Sequence, residues 1–71
     1  MRTGQCFVYH YSDGSRKGYF FTGIEEQENG ETIYVMCEML PADKINPKTS
    51  FWRMAENYYN QKLADGTIEL I

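Results

Sequence analysis

One histidine, two cysteines, two prolines and one tryptophan are all that this 71-residue chain has of four residue types that often power or punctuate a fold. Each scarcity excludes something. A lone His10 leaves neutral-pH acid–base chemistry almost without a recruit. A Cys–His nucleophile pair would also need a cleft and an oxyanion donor that no motif here supplies, so no catalytic residue is assigned. Two cysteines and one histidine fall short of the four closely spaced ligands of a structural zinc site, and no glycine-rich phosphate loop leads into a helix; neither metal nor cofactor is expected. No apolar run approaches the roughly 20 residues that span a bilayer. The start Met1-Arg2-Thr3-Gly4-Gln5 lacks the apolar segment of a secretory signal, which predicts a cytoplasmic chain with reduced thiols at Cys6 and Cys37.

What is present is apolar and aromatic. Hydrophobic residues make up 42% and aromatics 15%, enough side-chain surface to offset chain entropy and to argue against disorder. With 71 residues there is material for one core, so residues 1–71 read as a single small domain.

Gln5-Cys6-Phe7-Val8-Tyr9-His10-Tyr11 is rich in β-formers and is followed by the turn signal Ser12-Asp13-Gly14-Ser15. A second such run, Gly18 to Ile24, leads to Asn29-Gly30, a strong hairpin signal, and Glu31 to Met39 makes a third strand. Pro41 ends it, and the segment Asp43 to Thr49 reads as a loop. Beyond it, Phe51, Trp52, Ala55, Tyr58, Tyr59 and Leu63 recur at helical spacing. A helix therefore begins near Pro47 or Ser50, capped by Asn46 or Ser50, and is closed by a left-handed Gly66. The fold class is α+β: a three-stranded antiparallel meander, one amphipathic helix with Trp52 facing inward, and a short β-prone tail at Thr67 to Ile71.

Two-residue turns at Asp13-Gly14 and Asn29-Gly30 would set Phe7 opposite Phe20 and Ile24 opposite Val35. Phe7, Tyr9, Phe20, Ile24, Ile33 and Val35 then share the face beneath the helix. The other face receives Val8, Tyr19, Phe21, Tyr34 and Met36, too apolar for a solvated surface, and these five are the expected partner-binding residues. The same alternation puts Cys6 and Cys37 on opposite faces, which excludes a disulfide.

Charge is uneven about a net −3. Residues 1–24 carry Arg2, Arg16 and Lys17 against Asp13, whereas residues 25–43 carry six acids and no base. Glu25, Glu26, Glu28 and Glu31 concentrate at one hairpin tip, where they could engage a basic partner; the plainer reading, a solvated turn kept soluble by its charge, is the favoured one. Arg16 and Lys17, beside Tyr19, form a second cluster suited to phosphates and stacked bases, yet two bases on an acidic chain are a thin electrostatic footprint.

In order of elements alone, the meander followed by a helix is similar to the DNA-binding domains of plant transcription factors and integrase arms that read the major groove with a sheet. The resemblance implies DNA contact by the strands, and this sequence departs from it in having few bases there and an acidic second hairpin. The residues favour a non-enzymatic protein-interaction or regulatory module that binds a protein partner, or itself as a homodimer, through an apolar sheet face. Weak nucleic-acid binding by the first hairpin is the alternative, and no membrane contact is expected.

Overall fold

The structure, a computed structural model, describes residues 2–71. Five strands form one antiparallel sheet: β1 (Cys6–His10), β2 (Arg16–Glu26), β3 (Thr32–Glu38), β4 (Phe51–Ala55) and β5 (Ile68–Leu70), in the spatial order β4-β3-β2-β1-β5. A short 3-10 turn (Ala42–Lys44) interrupts the loop before β4, and the helix α1 (Glu56–Ala64) joins β4 to β5. The class is α+β, with five strands where three and a tail were expected. Among the described residues no helix is long and apolar enough to cross a membrane.

Both hairpins turn by the same device, and it is one residue longer than the expected turn. Gly14 N–H donates to Tyr11 O and Tyr11 N–H to Ser15 O; Gly30 N–H donates to Gln27 O and Gln27 N–H to Glu31 O. Gly14 and Gly30 have φ of +90° and +85°, while the preceding Asp13 and Asn29 stay at negative φ. A two-residue type I′ turn needs positive φ at both positions, so these are three-residue loops with the glycine as a bulge. The side chains of Asp13 and Asn29 reinforce them, accepting the backbone N–H of Ser15 and of Glu31 at 2.9 Å each.

One extra loop residue shifts each register by one, and a shift of one exchanges faces. Phe7 therefore pairs with Tyr19, not Phe20, and moves with Tyr9 to the Tyr19/Phe21 face. In the second hairpin a bulge at Thr22 compensates, because the register steps between Phe21 and Gly23 and leaves Phe21 opposite Met36. Thr22 marks the step by donating its hydroxyl to Val35 O at 3.2 Å.

The expected binding face is thereby corrected. Tyr19, Phe21, Tyr34 and Met36 do lie on one face, but α1 packs on it: all four are buried, with Phe7, Tyr59 and Ile68 completing the core. Tyr59 stands edge-on to Phe21 and Tyr34, at ring-centroid distances of 5.5 and 4.9 Å. Only Val8 of the five keeps its place on the uncovered face, where it is half-buried opposite Gly18.

The helix boundary is corrected as well. Residues 51–55 are a strand, so Trp52 is 54% exposed on a sheet edge instead of inside a helix stripe. Ala55 occupies the helix N-cap, and neither Asn46 nor Ser50 caps it. Ser50 is buried because its Oγ accepts the Asn46 N–H at 2.9 Å, closing the turn that delivers the chain to β4. Gly66, at φ +86°, does close the C-terminal end of α1.

Candidate functional site

Each neighbour in the sheet is antiparallel, so β4 and β5 run in the same direction on opposite edges, and α1 must cross the sheet to connect them. Nine helical residues reach only about 13 Å, whereas five strands are about 19 Å across. A helix this short crosses diagonally and leaves corners of the face uncovered. At one uncovered corner lie Ile24 and Leu70, which are 52% and 40% exposed.

The other uncovered corner is a cleft of about 260 Å³. Its floor is the core itself, Phe7, Tyr19 and Met36; its walls are Tyr9 and Tyr11 from the first hairpin, Trp52 and Met54 from β4, and Tyr58 from α1. Strand alternation explains the convergence, because Trp52 lies opposite Met36 and Met54 opposite Tyr34, which points both β4 side chains to the helix side.

The hydroxyls of this cleft are paired with each other. Tyr11 and Tyr19 share a hydrogen bond of 2.7 Å, and Tyr9 and Tyr58 one of 3.0 Å. The bond to Tyr58, with partial burial, pushes Tyr9 up to about 12, and burial with the bond to Tyr11 raises Tyr19 further above the ordinary phenol range. Both pairings hold these phenols in the neutral form. What remains on offer is aromatic faces and the thioethers of Met36 and Met54, which suits an apolar or aromatic side chain. Lys62 sits over the Tyr58 ring, 5.2 Å from its centroid, so one outer wall already holds a cation.

Beside the cleft runs the outer edge of β4. Glu38 N–H donates to Ser50 O, which fixes the alternation: Trp52 and Met54 direct their backbone groups to β3, and Phe51, Arg53 and Ala55 direct theirs away from the sheet. Both backbone groups of Phe51 and Arg53 and the N–H of Ala55 have no strand partner on that side among the described residues, whereas the Ala55 carbonyl, at the helix N-cap, opens the hydrogen bonding of α1. Arg53 reaches back across the opposite face to Glu25, with Nε to Oε2 at 2.7 Å, which lowers the Glu25 carboxyl pKa.

The acidic tip is not one cluster. Glu25 is bound to Arg53, Glu26 accepts the Thr32 hydroxyl from the other face, and Glu28 and Glu31 extend into solvent around the turn. Of the basic pair, Lys17 is tied to Glu38 at 3.3 Å and Arg16 is exposed; Tyr19 is 5% exposed and cannot stack on a base.

The two cysteines share a face, contrary to expectation, since Cys6 and Cys37 both pair with Phe20 from either side. Two strand spacings, about 9–10 Å, still separate them beyond disulfide reach. Both are free thiols, and burial raises the pKa of the sealed Cys37. His10 shares that face and meets Glu69 at 3.0 Å, remote from the cleft. Among the described residues no three His, Cys, Asp or Glu side chains gather as a metal site.

Tyr9 and Trp52 were expected in the core beneath the helix and not at a site. The signal for Trp52 was Phe51-Trp52-Arg53-Met54, a β-prone aromatic run read as the first turn of a helix. No protein-family model, curated protein or solved structure matches this chain.

Proposed function

We propose that this chain is a non-enzymatic protein-interaction module that binds an extended segment of a protein partner along the outer edge of β4. Main-chain hydrogen bonds to Phe51, Arg53 and the Ala55 N–H supply the pairing, and alternate side chains of the segment enter the aromatic cleft. This is recognition by strand addition, in which the edge supplies affinity and the pocket supplies selectivity. The observation that carries the reading is the coincidence of an unpaired strand edge with a 54%-exposed Trp52 at the mouth of a cleft with an apolar floor. The apolar binding surface thus moves from the face first expected to the corner that the helix leaves open. A reducing compartment such as the cytoplasm fits the reading, because Cys6 and Cys37 remain thiols there.

Trp52 is the only tryptophan, so its emission reports on this corner alone. Extended peptides selected by display against the whole chain should shift that emission to the blue on titration and should protect the amides of Phe51 and Arg53 from exchange. Selected peptides that bind without moving either signal, or a selection that returns no binder, would overturn the reading.

A further inference from the structure

We infer that the strand received by β4 is β4 of a second copy, so that two five-stranded sheets join edge to edge in a twofold dimer. The inference rests on the reading of β4 as the binding edge and names its occupant.

The two edges of the sheet are defended differently. Natural edge strands avoid pairing by being short, charged, bulged or interrupted by proline. β5 meets this description with three residues and Glu69 at its centre. β4 does not: it has five residues, no proline and no lysine, and Phe51 and Trp52 are 42% and 54% exposed. Its one charge, Arg53, is already neutralised by Glu25.

The strand is also complementary to itself. Antiparallel pairing centred on Arg53 joins both backbone groups of Arg53 to its own copy and sets Phe51 opposite Ala55 of the partner subunit, whose N–H donates to the Phe51 carbonyl while its own carbonyl serves the helix. On the helix side the same register sets Trp52 against Met54 of the partner subunit, twice, an aromatic–thioether contact at the rim of each cleft. On the other side two Glu25–Arg53 pairs meet, so that the opposed guanidiniums each bring a carboxylate. The helix does not obstruct the approach, because α1 leaves β4 at Ala55 and packs inward over β3 towards β5. A twofold axis consumes both β4 edges and closes the assembly at two. A single five-residue strand makes a contact small beside the roughly 1,600 Å² of a standard interface, so the dimer dissociates on dilution.

Sedimentation velocity of the whole chain, from micromolar to millimolar concentration, should give a reversible monomer–dimer equilibrium, with the Phe51 and Arg53 amides gaining exchange protection as the dimer forms. Ala55→Pro is the cleanest disruption: Ala55 has φ −63°, already proline's value, and its N–H points away from β3. It should raise the dissociation constant about tenfold or more while the melting temperature of the monomer holds. Trp52→Lys should do the same. Glu25→Gln should also weaken the dimer, and added salt should then restore it by screening the two bare arginines. A chain that is monomeric at millimolar concentration overturns the inference, as does a dimer equally stable in Ala55→Pro and Trp52→Lys. The two readings separate cleanly: a monomer that still binds a selected peptide at Trp52 overturns self-pairing alone, whereas a chain with neither dimer nor peptide overturns both.

Discussion

Tyr58 and Tyr59 are neighbours on α1, and they meet two different halves of one sheet face. Tyr59 is 4% exposed, seated against Phe21 and Tyr34, and its phenol is held above the ordinary range by burial. Tyr58 is 42% exposed and spends its hydroxyl on Tyr9 at the cleft. The composition of the two halves is almost the same, aromatic with methionine, so chemistry does not decide which is core and which is surface. The length and diagonal path of a nine-residue helix decide it. Where the helix lies, Tyr34 and Tyr59 are sealed; at the corner it leaves open, Trp52 and Tyr58 keep much of their surface in solvent above the buried floor.

That contrast is broken most severely from the sealed half. Phe21 has no exposed surface and touches Phe7, Tyr34 and Tyr59. Phe21→Ala should cost about 3–5 kcal/mol, enough to leave a chain of this size largely unfolded, as a urea or thermal melt followed by circular dichroism will register. A smaller loss is expected where the turns set the register. Gly30 needs φ +85°, so Gly30→Ala should cost about 1–2 kcal/mol without contacting the core at all. Retention of full stability by Gly30→Ala would mean that the loop can relax to another turn, and the faces would then be less firmly assigned.

The first three strands and the left-handed Gly66 were legible because their signals are local: β-rich runs bounded by turn residues, and a glycine after a helical stretch. The faces were not. Asp13-Gly14 and Asn29-Gly30 are compatible with loops of two or three residues. The choice depends on the φ of Asp13 and Asn29, which their side-chain bonds to Ser15 and Glu31 help to hold negative. One residue of loop length then reassigned Phe7 and Tyr9, and the bulge at Thr22 that offsets it in the second hairpin is marked locally only by Gly23, a glycine inside a strand run. The helix start failed for a different reason. Phe51 and Trp52 satisfy a helical period when read with Ala55 and Tyr58, and only pairing with Cys37 and Met36 makes them a strand. The cleft was invisible for the same cause, since its walls come from three elements that no sequence spacing connects.

A weaker probe of the sealed half is the hydroxyl that Tyr34 donates to Glu56 at 2.8 Å. That bond, with burial behind it, raises the Tyr34 phenol above its usual value. A raised folded-state pKa adds stability that is complete below the unfolded value of about 10 and is lost as pH climbs through the folded one. Tyr34→Phe should therefore cost about 1 kcal/mol near neutrality and should flatten part of the alkaline limb of a stability–pH curve. Tyr9, Tyr19 and Tyr59, all raised as well, keep the remainder of that limb in place.

The smallest change in stability should come from Trp52, the residue on which the proposed binding most depends. Trp52 leaves more than half its surface in solvent and lies on an edge strand, so Trp52→Ser should change the unfolding free energy by no more than about 0.5 kcal/mol. Binding of a strand at β4 should nevertheless be lost, because the floor of the cleft then has no rim over it. The pairing of these two measurements discriminates. If Trp52→Ser destabilised the chain as Phe21→Ala does, the cleft would be part of the core. A variant that kept both stability and binding would leave the exposed tryptophan without a role in recognition. Only near-native stability joined to lost binding separates the half of the face that folds the chain from the half that addresses a partner.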